Sequence, residues 1–378
     1  MPIQIQGWPG SSSGALPSAV HGGEQDLLGT RLEKPRDFVG IVEAHSHLFG
    51  FLARAANEGF SGIANCTDMR QAQAHGRSAN RPGDSQPQST SVDFLGIALS
   101  RVTFRGKSRL ADLLGRMLAH FRHEARCWLT RDTSVRIRLG DRIERLMWAG
   151  CYERDLVTIL RHSLRPGMIF VDVGAHIGYF TALAWVLVRP AGGIHAFEAD
   201  PQCFQRLREN SRTLGGVAAY SMAVSDRVGE ATFFASPDPA ESGWGSVFPD
   251  GLRRPTRRVS TITLDEWRQR EAPGRVDFVK MDVEGAEYRV LRGAEALIRA
   301  DRPMLFLEVN NVCLTRDGRS ARDIVDFLDR YDYRATGVLS RSSRELDSIF
   351  AVPEFKAESI EVVRRAGVRL LPLGGVRP

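Results

Sequence analysis

The chain has 378 residues, of which 43% are hydrophobic, enough for one generously sized globular domain with additional segments. Its formal net charge is +6, and the basic residues are spread along the chain, so the composition alone does not indicate a nucleic-acid-binding protein. The five cysteines are scattered and never form C-x-x-C, which argues against a disulfide scaffold and against a structural zinc site.

The N-terminal part of the chain, residues 1–90, is rich in Gly, Ser, Pro and Gln, and we expect it to form a low-complexity, disordered extension. Within it, residues 38–56 have the pattern of a helix. The start of the chain shows no secretory signal, and the longest apolar run, residues 180–188, is much shorter than the roughly 18 residues of a membrane span. We therefore expect a cytoplasmic protein with no membrane span.

Further along the chain, the apolar spacing between residues 110 and 121 predicts a helix within a helical lead-in at 91–130. A strand at 134–139 and a helix at 151–164 follow. Strands and helices then alternate, which predicts a parallel sheet covered on both faces. The predicted strands are 169–173, 193–198, 217–224, 276–281, 303–309 and 348–353, and the predicted helices are 178–188, 201–213, 264–270, 286–299 and 320–331, with a hairpin-like insertion up to about residue 260.

The first strand of this alternation leads into a glycine-containing loop, VDVGAHIGYF at residues 171–180. Ligands of doubly wound sheets bind beyond the carboxyl ends of the strands, so this loop marks the expected site. Gly174 and Gly178 do not fit the G-x-G-x-x-G fingerprint of dinucleotide sites. Asp172 precedes the turn, where it would repel a pyrophosphate and attract an ammonium group. The loop therefore favours S-adenosylmethionine, which has no phosphate, over NAD.

The second strand ends in FEADP, which puts Glu198 where a carboxylate can accept hydrogen bonds from both hydroxyl groups of a ribose. A carboxylate at this position suits NAD as well as S-adenosylmethionine. Glu198 therefore supports a nucleoside-containing cofactor without distinguishing between the two.

Five motifs in chain order resemble the FkbM family of S-adenosylmethionine-dependent methyltransferases. They are GMIFVDVGAHIGYFT (167–181), AFEADP (196–201), AVSDRVGEATFF (223–234), TLDEW (263–267) and VDFVKMDVEGAEYRVLRGA (276–294). The resemblance implies an α/β, Rossmann-like class I methyltransferase fold with a doubly wound, mainly parallel sheet, in a domain at 131–355 followed by a C-terminal tail at 356–378. It also implies O-methylation of a hydroxyl on a sugar, a glycan or a secondary metabolite. It does not explain the N-terminal extension.

The resemblance further implies which residues surround the cofactor. His176 stands where related sequences often carry asparagine, and both side chains can form hydrogen bonds there. Together with Asp172 and Glu198, the cofactor-binding candidates are Gly174, Ala175, His176, Gly178, Asp226 and Asp282.

The fourth strand ends in KMDVEGAE, residues 280–287, which we expect to face the transferred methyl group. Methyl transfer is an in-line displacement at carbon, so alignment of the acceptor oxygen matters most, and a carboxylate can take up the hydroxyl proton. The candidate catalytic residues are Asp282, Glu284 and Glu308. Structural roles stay open: Glu284 can cap the following helix, and Glu287 can pair with a neighbouring arginine on a solvated face.

Three alternatives remain open from the sequence. Asp282, Glu308 and Asn310 carry oxygen ligands of the kind that bind Mg²⁺ beside a catechol-like acceptor, although we favour a route without metal. A nucleic-acid methyltransferase is suggested by the pI of about 9.3, but the fourth strand lacks the Asn/Asp-Pro-Pro-aromatic sequence of amino-group methylation. The third is a non-catalytic scaffold that binds S-adenosylmethionine. The acceptor is not identified by these residues, since variable loops such as 237–258 build acceptor pockets.

Overall fold

The computed structural model describes residues 90–236, 238, 242–249, 255–271, 273–339 and 346–373. The extension expected at residues 1–90 and the helix expected at 38–56 lie outside this part of the chain, apart from Thr90. Thr90 is the N-cap of the first described helix, where it forms a reciprocal capping box with Asp93.

The lead-in is more than a helical segment. Helices α1 (Ser91–Arg101) and α2 (Lys107–Ala119) are followed by strand β1 (Glu124–Trp128), which pairs antiparallel with β2 (Ser134–Arg138). The strand at 124–128 was not predicted because its inward-facing residues are only an alanine and a cysteine, too weak a signal for a two-residue period.

Two short helices follow, α3 (Arg142–Trp148) and α4 (Arg154–Ser163). Helix α4 begins three residues after the predicted start at 151, because Glu153 has a left-handed φ of 39° and the chain turns there. This turn removes Tyr152 and Glu153 from the helix and leaves both in a loop.

Strands and helices then alternate to the C-terminus. The strands are β3 (Ile169–Val173), β4 (Gly193–Phe197), β5 (Val217–Tyr220), β6 (Ala223–Val224), β7 (Gly229–Phe234), β8 (Pro255–Ile262), β9 (Phe278–Met281), β10 (Met304–Glu308), β11 (Tyr333–Leu339), β12 (Leu346–Pro353) and β13 (Leu370–Leu373). The helices are α5 (Tyr179–Val188), α6 (Pro201–Ser211), α7 (Leu264–Glu271), α8 (Glu287–Arg292), α9 (Glu295–Asp301), α10 (Asn311–Leu314), α11 (Ala321–Asp329) and α12 (Glu358–Arg365).

The main sheet has eight strands in the order β13-β11-β12-β10-β9-β3-β4-β5. Pairing is parallel from β5 through β10, and β12 inserts antiparallel between β10 and β11. The predicted Rossmann-like, mainly parallel sheet is therefore confirmed. The strand order reverses between β3 and β9, and a crevice at such a reversal is where ligands of these sheets bind.

Alternate side chains of the sheet strands enter two separate apolar clusters. Phe170, Phe278 and Phe306 belong to one cluster, together with residues of α4 and α5. Val171 and Val279 belong to the other, together with residues of α8, α9 and α11. Since successive side chains of a strand point to opposite faces, both faces of the sheet are covered, as the alternation of strands and helices predicted.

Three elements differ from the sequence predictions. The strand expected at 217–224 divides, and β6 joins a separate three-stranded sheet in the order β6-β8-β7. The helix expected at 286–299 is interrupted at Gly293, where a Cβ atom would lie 2.1 Å from the carbonyl oxygen of Ser225. The segment expected as a tail, 356–378, contains α12 and also β13, which pairs with β11.

Across the described residues, no helix combines the length and the apolar character needed to cross a bilayer.

Candidate cofactor and acceptor site

A cavity of about 240 Å³ opens at the carboxyl ends of β3, β4, β9 and β10, at the point where the strand order reverses. Its walls include the loops after all four strands, the loop before α4 and part of the insertion between β7 and β8. Several of the predicted site residues line it: Gly174, His176, Glu198, Asp282, Glu284, Glu308 and Asn310.

The loop after β3 requires glycine at position 174. Gly174 has a φ of 77°, and a Cβ atom there would lie 1.8 Å from the carbonyl oxygen of Asp282. The backbone N–H groups of Gly174 and Ala175 donate to the carbonyl oxygen of Phe197, which ties the loop to β4. Ala175 and Gly178 shape the loop and do not line the cavity, so their predicted cofactor role reduces to backbone geometry.

Glu198 presents a nearly buried carboxylate to the cavity. One oxygen accepts a hydrogen bond from the backbone N–H of His176 and the other from that of Asp200, each at 2.7 Å. Burial raises the pKa of Glu198 to about 7, although the two backbone donors act to lower it. A carboxylate has about four acceptor positions, so two remain for hydroxyl donors in the cavity.

His176 belongs to a hydrogen-bond chain that the sequence did not reveal. Its Nε2 lies 2.8 Å from the hydroxyl oxygen of Ser242, and that hydroxyl donates to a carboxylate oxygen of Asp141 at 2.7 Å. Because the serine proton is given to Asp141, Nε2 must carry the proton that His176 donates to Ser242. Burial lowers the pKa of His176, which favours the neutral ring with Nδ1 free to accept a hydrogen bond.

Asp172 lies behind the cavity and not in its wall. It has no exposed surface, and one of its oxygens accepts a hydrogen bond from the Thr181 hydroxyl at 2.7 Å. Its other oxygen is 3.3 Å from the ammonium nitrogen of Lys280, its partner in register on β9. A lysine of the chain itself thus lies beside the Asp172 carboxylate, and the attraction of a ligand's ammonium group to Asp172 stays a prediction.

Lys280 is the buried cation of the site. Its Nζ donates to the carbonyl oxygen of Gly174 at 2.8 Å and lies 3.3 Å from carboxylate oxygens of Asp172 and of Asp282. Burial acts to lower the pKa of Lys280, but the surrounding carboxylates raise it above the ordinary value. The role of Lys280 was not predictable, because the strand pairing that joins it to Asp172 is not visible in the sequence.

Asp282, directly after β9, and Glu308, the last residue of the neighbouring β10, form a carboxyl pair in the cavity wall, two or more strands away from Glu198 at the end of β4. Burial acts to raise the pKa of Asp282, but Lys280 and Glu308 bring it below the ordinary value. Burial and the neighbouring charge of Asp282 raise the pKa of Glu308 well above its ordinary range. The opposite directions of these pKa shifts favour an ionised Asp282 beside a protonated Glu308.

Glu284 lines the same cavity in a strained conformation, with a φ of 53°. Its carbonyl oxygen accepts a hydrogen bond from the Ser246 hydroxyl at 2.9 Å, and its carboxylate contacts the thiol of Cys313 at 3.5 Å. The capping role considered for Glu284 is not observed, since no side chain caps α8. The carboxylate of Glu287 instead holds the turn at Glu284 by accepting from the backbone N–H groups of Val283 and Gly285.

The alternative placement of Glu287 on a solvated face is also wrong. Its side chain is buried, and burial raises its pKa to about 7. The arginines considered as its partners pair elsewhere, Arg289 with Asp317 and Arg292 with Glu295.

Asp226 is exposed and does not line the cavity. Its carboxylate accepts from the Ser225 hydroxyl and lies 3.5 Å from Arg227. The sequence motif assigned it to the cofactor, but the chain turns outward after β6, and residues 222–224 line the cavity instead.

The loop before α4 supplies two residues that sequence reasoning missed. Tyr152 and Glu153 both line the cavity, and the left-handed turn at Glu153 directs this segment to the site. Burial and nearby carboxylates raise the pKa of Glu153 to about 8. Both residues precede the strand–helix alternation, so no motif signalled them.

The described residues contain no group of three or more His, Cys, Asp or Glu side chains arranged to hold a metal ion. Next to the proposed ligand Asp282 lies the ammonium group of Lys280, at 3.3 Å. A cation at that distance disfavours a second cation on the same carboxylate.

Comparison with known proteins gives a family match over residues 172–335, to a model described as the methyltransferase FkbM domain. The 2-O-methyltransferase NoeI of Sinorhizobium fredii is 26% identical over 193 residues, which are 47% of this chain and 77% of the relative. The hexuronic acid methyltransferase AglP of Haloferax volcanii is 31% identical over 142 residues, 37% of this chain and 56% of the relative.

A third relative is the 31-O-demethyl-FK506 methyltransferase FkbM of Streptomyces tacrolimicus, which is 32% identical over 168 residues. The match spans 36% of this chain and 64% of that relative. The chain thus covers about three quarters of the first relative and less than two thirds of the other two.

Proposed function

We propose that this chain, an S-adenosylmethionine-dependent methyltransferase with an FkbM domain at residues 172–335, methylates a hydroxyl group of a sugar or glycan. The names of two relatives support the acceptor class, since one is a 2-O-methyltransferase and another acts on a hexuronic acid. When bound, S-adenosylmethionine supplies an electrophilic methyl group.

The residues present fit this cofactor. Gly174 lets the loop after β3 pass close to the backbone of Asp282 at the cavity wall, and Glu198 offers two unused acceptor positions to ribose hydroxyl groups. His176, also a candidate from the sequence, has its Nε2 engaged with Ser242, which leaves Nδ1 to accept a hydrogen bond. These assignments agree with three of the cofactor-binding candidates expected from the sequence.

The observation that carries the acceptor proposal is the carboxyl pair Asp282–Glu308 in the cavity wall, two or more strands away from Glu198. An ionised carboxylate accepts a hydrogen bond from an alcohol, and a neutral acid beside it can donate one. We assign proton uptake from the acceptor hydroxyl to Asp282 and orientation of the acceptor to Glu308. Glu284, two residues after Asp282 in the same loop and in a strained turn, also orients the acceptor.

A nucleic-acid acceptor fits the cavity less well. Six acidic residues line its wall: Glu153, Glu198, Asp200, Asp282, Glu284 and Glu308. A phosphodiester close to ionised members of this set would be repelled. The basic pI therefore does not describe the charge of the site.

The test is a turnover assay of S-adenosylhomocysteine formation with purified chain and a panel of neutral oligosaccharides, uronic-acid-containing glycans and RNA. We expect product with a glycan acceptor and none with RNA. With that acceptor, single turnover at saturating cofactor should fall by about 10² or more in Asp282→Asn, the usual contribution of a positioned base. Glu308→Gln, which preserves a hydrogen-bond donor, should lose less.

Two results would contradict the proposal. Turnover on RNA without turnover on any glycan would show that the acceptor is a nucleic acid and not a sugar or glycan. Unchanged single-turnover rates in Asp282→Asn would show that Asp282 takes up no proton and that catalysis rests on alignment of the acceptor alone.

The cytoplasmic location expected from the sequence stays a prediction, which fractionation of cells expressing the full chain can test.

A further inference from the structure

Helix α2 carries exposed apolar side chains on its outer side. Leu113 is 57% exposed, Met117 48% and Leu110 39%, and Phe121, just beyond the helix, is 77% exposed. At 3.6 residues per turn, Leu110, Leu113 and Met117 fall within an arc of roughly 60°. These four residues are called the α2 stripe below.

The exposed apolar side chains of the described residues are concentrated near the α2 stripe, whereas on an ordinary protein surface they are scattered singly. Among the described residues, six of the eleven large apolar side chains that are exposed lie between positions 94 and 121. Phe94 and Phe104 complete this set with the α2 stripe. A contiguous exposed apolar patch of this kind marks an interaction surface.

The opposite side of α2 is fixed to the rest of the domain, so the stripe does not result from a loosely attached helix. Ala111 is fully buried, and a Cβ atom at Gly115 would lie 2.4 Å from the side chain of Arg145. Arg145 forms an ion pair with Asp112 at 2.8 Å and donates to the carbonyl oxygen of Leu139 at 2.7 Å. The helix therefore holds the stripe facing outward.

The surroundings of the stripe are strongly basic, although basic residues over the whole chain are spread out. Residues 101–123 contain six Lys and Arg residues against one acid, Asp112, which is already paired with Arg116 and Arg145. Arg109 and Arg116 are exposed and lie along one edge of the stripe. The exposed Arg105 and Arg122 flank its two ends.

We propose that the α2 stripe and its arginines dock this enzyme onto an anionic lipid surface. Leu, Met and Phe side chains on one side of a helix enter the headgroup boundary, while arginines beside them bind lipid phosphates. Charge complementarity selects this partner. A second copy of the chain would bring two sets of the same arginines together, which disfavours self-association through this face.

The experiment measures co-sedimentation of the full chain with vesicles of phosphatidylcholine alone or mixed with phosphatidylglycerol. We expect binding to the mixed vesicles that decreases with added salt. Arg109→Gln combined with Arg116→Gln should weaken binding by roughly 30-fold, since each basic residue near an anionic surface contributes about a factor of five. Leu113→Ser combined with Met117→Ser should also reduce binding.

Matched controls come from exposed residues elsewhere in the fold. Arg227→Gln with Arg365→Gln removes the same charge, and Phe355→Ser removes an apolar side chain that is 70% exposed. These controls should bind vesicles like the unaltered chain, and all variants should bind S-adenosylmethionine normally, which verifies folding.

Three outcomes would overturn the proposal. The first is equal binding to neutral and anionic vesicles, and the second is equal binding by the α2 variants and the controls. The third is a concentration-dependent dimer that the Leu113 and Met117 changes abolish while vesicle binding is absent, which would make this face an interface between two copies. The proposal is independent of the acceptor, so failure here leaves the proposed function standing.

Discussion

Replacing Glu198 with glutamine tests the cofactor assignment most directly. At high pH the carboxylate is ionised and can accept two hydroxyl hydrogen bonds beyond the two backbone N–H groups that it already holds at 2.7 Å. Hydrogen bonds to a charged group contribute about 1.5–3 kcal/mol, so Glu198→Gln should weaken S-adenosylmethionine binding about tenfold or more. The glutamine NH₂ also faces one of the backbone donors, which adds to the loss.

The same residue predicts how affinity depends on pH. Since burial raises the pKa of Glu198 to about 7, its carboxylate becomes protonated as the pH falls through that value, and affinity should be lost on the acidic side. A protonated carboxyl group resembles the glutamine side chain, because both are uncharged and both carry a hydrogen-bond donor. The difference between the unaltered chain and Glu198→Gln should therefore be large at about pH 8.5 and small at about pH 5.5.

Isothermal titration calorimetry at both pH values measures these affinities. Asp226→Asn is the matched control, because the Asp226 carboxylate was also assigned to the cofactor from its motif but is exposed outside the cavity. This variant should bind S-adenosylmethionine as tightly as the unaltered chain. A Glu198→Gln variant that binds normally at high pH would refute the ribose assignment. Equal losses in the two variants would show that the cavity is not the cofactor site.

Two further predictions concern the contacts behind the cavity. Gly174→Ala should abolish cofactor binding and lower the free energy of unfolding by roughly 2–5 kcal/mol, because the added methyl group meets the carbonyl oxygen of Asp282 at a residue with left-handed φ. Urea unfolding measures the loss, and a variant as stable as the unaltered chain would contradict the prediction. Lys280→Met should lower the free energy of unfolding by about 3–5 kcal/mol, because Asp172 and Asp282 lose their buried partner. Arg258→Met, which removes an exposed ion pair, is the control and should lower it by less than about 1 kcal/mol. Equal losses in the two variants would show that the buried charge is unimportant.

The sequence predicted the sheet and the side chains that end its strands. Gly174, Glu198 and Asp282 each follow an apolar strand directly, and the carboxyl ends of parallel strands meet at one edge, so their convergence was predictable. The side chains that pair with the strand-end residues were not predictable. The pair Asp172–Lys280 depends on which strands are neighbours, and the strand order reverses between them.

Loop paths were the least predictable part. Asp226 lies in a motif that pointed to the site, yet its loop carries the side chain to the surface. Glu153 lies in no motif, and it reaches the cavity through a left-handed turn that a glutamate rarely adopts. Side chains that act from irregular segments are fixed by tertiary contacts, which local patterns do not encode.

The loop before α4 has a consequence for how the catalytic unit is delimited. The family match begins at residue 172, whereas Tyr152 and Glu153, which complete one wall of the cavity, lie upstream of it, as does Asp141, which accepts from the cavity-lining Ser242. A fragment cut at the family boundary would keep the strand ends and lose that wall. Because this wall comes from the segment before the family match, changes in that segment alter the cavity without touching any family motif, and exchanging it would show what the wall contributes to ligand choice.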